Sequence, residues 1–187
     1  MRLKYIAYQL LRPFSYLEIS HKAKVVYDWY IPITLSLISL VYGYYFIGLN
    51  DIYRNNSSLI LELISFVGNL PGFYIAALAA VATFNRADMD LSLPEPAPEI
   101  KTLMRGGEET IKLTRRRYLC LLFAFLTSES ISLIVLSKIA LSSNFNFNND
   151  VVYWIGIGFF FLFFWQLLTA TLYGLFYMGD KMHEPRP

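Results

Sequence analysis

Residues 118–141, YLCLLFAFLTSESISLIVLSKIAL, decide how this chain is to be read. They form an apolar run of the roughly 20 residues a helix needs to cross a bilayer, and a carboxylate, Glu129, stands in the middle of it. Three further runs have the same character: residues 29–49, 59–84 and 151–178. Apolar residues make up 56% of the 187-residue chain and charged residues 16%, with 17% aromatic. A soluble domain carries about a quarter charged residues, so the composition points to a membrane protein. A backbone in lipid must satisfy its own hydrogen bonds, and the four runs predict an all-α integral membrane protein with four transmembrane helices.

Basic residues set the expected orientation. Of the 16 Lys and Arg, all but Arg54 and Lys138 fall in residues 1–28, in the connection 85–117 or in the tail 179–187. The positive-inside bias places those three parts, and both termini, in the cytoplasm. The spans then pair as residues 29–84 and 118–178. About 28 residues precede the first run, and that run exceeds the apolar core of a signal peptide, so no cleavable signal is expected. The single cysteine, Cys120, cannot form an internal disulfide. A net charge of +2 arises from this topology and gives no support for direct nucleic-acid binding.

Outside the spans, Leu3, Ile6, Ala7, Leu10 and Leu11 recur at helical spacing before Pro13. Mixed with basic residues, they predict an amphipathic cytoplasmic helix in contact with membrane lipids. The central connection opens with Asp88, Asp90, Glu95 and Glu99 around Pro94, Pro96 and Pro98, an extended, proline-stiffened acidic arm suited to docking a soluble cytoplasmic protein. Its second half runs from Gly106-Gly107-Glu108-Glu109 to Arg115-Arg116-Arg117. Acids followed by bases predict a helix starting near Glu108.

Small residues recur every fourth position in the second span, at Gly68, Gly72, Ala76 and Ala80. Such a stripe lets helices approach closely, either within one bundle or between the subunits of a homo-oligomer. A rise of about 1.5 Å per residue puts Glu129 and Gln166 near the same midplane depth, and Glu62 and Lys138 near the outer boundary. Two pairings are therefore expected: Glu129 with Gln166, and Glu62 with Lys138 as an ion pair. Asn69 and the Pro71-Gly72 break lie between these levels. A midplane carboxylate costs about 2.5 to 3.5 kcal/mol to insert when charged. Glu129 either fixes helix register as a neutral group bonded to Gln166, Ser128 or Ser132, or serves an ion pathway or protonation-dependent sensor.

His21 and His183 are isolated, and no metal-ligand set, nucleophile elbow, P-loop or dinucleotide fingerprint occurs. No enzymatic activity, cofactor or metal is expected. With its four spans, ends on one side and charged connection NRADMDLSLPEPAPEIKTLMRGGEETIKLTRRR, the chain resembles the membrane subunit of the two-gene Kiwa anti-phage system, with retron-associated membrane effectors the next most similar group. The Kiwa resemblance implies an oligomer of the bacterial inner membrane that senses phage attack at the envelope and works with a soluble DNA-binding partner. It carries over no catalytic residue. The competing expectation is an oligomeric pore or permeabilising effector with Glu129 in its path.

Overall fold

The structure, a computed structural model, describes residues 2–19, 22–54, 58–83, 87–93, 98–104, 107–142 and 150–181. Four helices are long and apolar enough to cross a membrane: Val26–Ile47, Leu59–Thr83, Arg115–Ser142 and Asp150–Gly179. This is the build of a multi-pass membrane protein. The third span is the most enclosed, with half of its most apolar window buried against 17% for the first span. The packing explains the difference. The first span lies on the fourth, the fourth on the third, and the third on the second, while the first and second meet chiefly through the short turns that join them.

Close approach is built from small residues. A Cβ on Gly174 of the fourth span would come within 2.9 Å of Leu122 Cδ2, and one on Gly158 within 3.2 Å of Leu40 Cδ1. Polar contacts add to this: Trp165 Nε1 donates to Ser39 Oγ at 2.9 Å, and Ser36 Oγ to the Gly158 carbonyl at 3.3 Å. The stripe Gly68, Gly72, Ala76 and Ala80 does something else. All four residues are exposed, and the second span instead buries Ile60, Ile64, Val67, Tyr74 and Val81. Of the aromatic run, Phe160, Phe161 and Phe164 belong to the core, while Phe159 and Phe163 face outward.

The second span breaks at Gly68-Asn69, between Leu59–Val67 and Leu70–Thr83. Pro71 has no N–H for the Val67 carbonyl, and its ring crowds that carbonyl, so the helix stops one turn upstream. Asn69 repairs part of the loss, its Nδ2 donating to the Ser65 carbonyl at 3.2 Å.

The connection between the second and third spans corrects the all-α expectation. In place of a helix from Glu108, strands β1 (Glu99–Met104) and β2 (Gly107–Lys112) pair antiparallel, with Ile100 opposite Ile111 and Met104 opposite Gly107. Thr102, Thr110, Ile100 and Ile111 are β-branched and favour a pleated surface. Ile100 and Leu113 are buried with Met89 and belong to the same apolar core as the spans. The acidic arm is not simply extended either: Ala87–Asp90 forms a 3-10 turn, and Ser92 bridges to Thr114.

The N-terminal helix Arg2–Leu11 leaves Ile6, Leu10 and Leu11 exposed, an apolar edge of the kind that lies in a membrane interface. A 3-10 segment, Arg12–Glu18, follows and packs on the third span. There Tyr16 stacks on Phe125 with ring centroids 5.1 Å apart.

Candidate functional site: a buried polar cluster between the spans

The structure separates the residues expected to pair. Gln166 is buried but turns to the first span, donating Nε2 to the Asp28 carbonyl at 3.0 Å. The reason is local. Pro32 has no N–H to give to the Asp28 carbonyl four residues earlier, and Gln166 supplies the missing donor. Thr169 Oγ1 similarly donates to the Tyr27 carbonyl at 3.0 Å. A wide π-helical turn, Val26–Tyr30, presents these carbonyls to the fourth span.

Glu129 is 5% exposed, and neither carboxylate oxygen has a hydrogen-bond partner. Ser128 and Ser132, half-buried on the same helix, make no bond to it. The expected Glu129–Gln166 bond is therefore absent. Glu129 stands one helical turn from Phe125, the ring on which Tyr16 stacks, and Tyr16 in turn bonds Asp28 of the first span; buried Tyr74 belongs to the second span, which packs along this helix. Tyr74 is itself engaged, its hydroxyl 2.6 Å from Thr171 Oγ1.

Asp28 is the second acid of the cluster and the residue that hydropathy concealed. It is 2% exposed, forms an ion pair with Lys24 one turn earlier, and accepts a hydrogen bond from Tyr16 at 3.2 Å. The Lys24 ammonium also sits 4.1 Å from the Tyr16 ring centroid, a cation–π contact. Burial pulls the Lys24 ammonium below its ordinary range, and the Asp28 carboxylate opposes the shift. Burial likewise pushes the Tyr16 phenol well above its ordinary range, with neighbouring Tyr118 and Asp28 adding to the effect. Tyr16 therefore acts as a hydrogen-bond donor throughout the physiological range. A Lys–Asp pair at i, i+4 directly ahead of an apolar run was the signal available in the sequence.

The expected boundary pair is also absent: Glu62 and Lys138 are both exposed and no ion pair joins them among the described residues. Of the acidic arm, Asp90 binds Arg116 through both guanidinium edges, Nε to Oδ1 at 2.7 Å and Nη2 to Oδ2 at 3.1 Å. That interaction holds the Asp90 carboxyl below the usual aspartate range, the hydrogen bond from Arg116 being the main cause. Glu99 is exposed at the start of β1. Asp88 lies in the 3-10 turn, and its side chain, like the whole of Glu95, is outside the described residues.

Three arginines tie the N-terminal segment, the hairpin and the ends of the second and third spans together. Arg12 donates to the Lys101 carbonyl at 3.0 Å and to Thr102 Oγ1 at 3.1 Å, and Arg117 reaches the same Thr102 hydroxyl at 3.3 Å. Arg116 also caps the second span, donating to the Val81 carbonyl at 2.9 Å. No group of three or more His, Cys, Asp or Glu that could hold a metal ion occurs among the described residues. No family model, curated protein or solved structure matches the chain.

Proposed function

We propose that the protein is a non-enzymatic, oligomeric sensor and scaffold of the bacterial inner membrane, with both termini cytoplasmic, that recruits a soluble partner in phage defence. One observation carries the reading: the N-terminal segment, the hairpin and the third span are tied together at Thr102 by Arg12 and Arg117. A movement of the most enclosed helix is thereby passed to the surface formed by the hairpin and the N-terminal segment. That surface holds a hollow of about 610 Å³ lined by Tyr8, Glu18, Glu99, Lys101, Thr102 and Thr110. Two exposed carboxylates at its rim suit a basic side chain of the partner. The likeness to Kiwa membrane subunits supplies the setting and the expectation of a DNA-binding partner; the chain itself makes no direct nucleic-acid contact in this reading.

The test is purification of the tagged protein from bacterial membranes with every co-purifying chain identified. A stoichiometric soluble partner, lost on Glu18→Lys plus Glu99→Lys, is the expected result. A homo-oligomer without a partner sinks the scaffold reading.

The exposed stripe Gly68, Gly72, Ala76 and Ala80 favours a second reading, in which subunits pack through it into a pore. Flux across vesicles containing the protein, altered by Glu129→Gln with assembly intact, would establish that alternative.

A further inference from the structure

Charge counting in the buried cluster leaves a deficit. Lys24 brings one positive charge, and its ion pair with Asp28 uses it. Glu129 is a second carboxyl in the same neighbourhood, one helical turn along the third span from Phe125, on which Tyr16 stacks, and neither of its oxygens has a hydrogen-bond donor. An ionised carboxylate in an apolar interior is very costly unless paired and hydrogen-bonded. One further positive charge is needed for the site to be neutral.

The geometry selects the kind of cation. Each Glu129 oxygen has less than 1 Å² of accessible surface, so no space the size of a water molecule touches either. A metal ion has no room there and lacks the six or so oxygen ligands that a hard cation requires. A proton needs no volume.

We infer that Glu129 is a proton-binding site inside the helix bundle, and that proton release at Glu129 loosens the N-terminal segment through Asp28. The connection is short. Asp28 holds Tyr16 by a hydrogen bond, and Tyr16 anchors the segment Arg12–Glu18 against Phe125 of the third span. A second negative charge at Glu129 repels Asp28, the acid that holds Tyr16, so the Tyr16 anchor weakens. Among the described residues, the ionisable groups facing Glu129 are Asp28 and Tyr74, and those around Asp28 are Lys24, Tyr16, Tyr118 and Tyr173. The fourth span contributes the neutral Gln166 at this level. The step is one proton leaving one carboxyl oxygen for solvent, with no other bond made or broken.

This inference rests on the sensor reading for its use, naming the proton as the stimulus, but its test needs no partner. The full-length protein in lipid nanodiscs is examined by infrared spectroscopy at neutral pH. The expected result is a carbonyl band from a protonated carboxylic acid that shifts on labelling with ¹³C-glutamate and is missing in Glu129→Gln. Glu129 is the sole buried glutamate among the described residues, so the labelling assigns the band in the wild-type chain even if the variant misfolds. The second measurement is hydrogen exchange of residues 12–19, corrected for the intrinsic pH dependence of exchange. Protection should fall by up to about tenfold per pH unit, the slope for one linked proton, and should be flat in Glu129→Gln. Absence of the glutamate band in wild type, or equal pH dependence in the two proteins, would overturn the inference. Failure to co-purify a partner would leave both results standing and count only against the scaffold.

Discussion

Arg116 grips Asp90 with two nitrogens while a third donates to the last turn of the second span. One side chain at the start of the third span therefore fixes both the end of the second span and the return of the connection. Arg116→Ala should lower the melting temperature in detergent more than Asp90→Asn, because only the former also uncaps the Val81 carbonyl. The pH dependence has a definite sign. With the Asp90 carboxyl held below its ordinary value, its contribution is complete above about pH 4 and is lost as pH falls further. Asp90→Asn should remove that acid sensitivity, as read from melting curves between neutral and acidic pH.

The Lys24–Asp28 pair calls for a double-mutant cycle. Lys24→Met leaves Asp28 buried without its cation, and breaking a buried pair in this way costs about 3 to 5 kcal/mol. Lys24→Met with Asp28→Asn removes both charges and should recover most of that loss. Equal destabilisation by the single and double variants, in reversible unfolding from lipid-detergent micelles, would contradict the pairing.

Added bulk should destabilise the fold at Gly174 but not at Gly72. Gly174→Val presses on Leu122, which is itself fully buried, and overpacking of this sort costs about 1 to 3 kcal/mol. Leu122→Ala in the same chain should restore part of the stability. A Cβ at Gly72 meets nothing within 4 Å, so Gly72→Leu should leave the monomer's melting unchanged. If copies of the chain associate through the exposed stripe, the same variant should reduce the mass of the solubilised complex, as measured by native mass spectrometry.

Thr102 receives two arginines from different parts of the chain. Thr102→Val keeps the shape and the β-propensity but offers them no oxygen. Faster proteolysis between the N-terminal helix and the first span is expected, while the spans themselves stay resistant.

The four spans were legible because hydropathy over some twenty residues is a strong, local signal. The hairpin was not, since the acids of Glu108-Glu109 and the bases of Arg115–Arg117 imitate the charge order of a helix. The competing cue, β-branched residues on either side of Arg105-Gly106-Gly107, had the turn glycine of a short hairpin. Pro71 signals the break in the second span, which lies one turn earlier because proline disrupts the carbonyl four residues before it. Depth alone singles out Glu129. It does not give the surroundings, because depth counting compares only residues inside the runs, while Tyr16 comes from a segment that packs against the third span from outside them. Gln166 was drawn to Asp28 by the carbonyl that Pro32 leaves free, a demand invisible to any rule based on level alone.

The packing order of the spans also bears on biosynthesis. The first span leaves the ribosome before the fourth, yet the fourth is its main neighbour, and the donors that satisfy its Tyr27 and Asp28 carbonyls, Thr169 and Gln166, are translated about 140 residues later. During that interval the newly inserted helix carries a lysine–aspartate pair and unsatisfied backbone oxygens at the edge of the bilayer. Arrival of the fourth span, rather than insertion of each span in turn, is what seals the first.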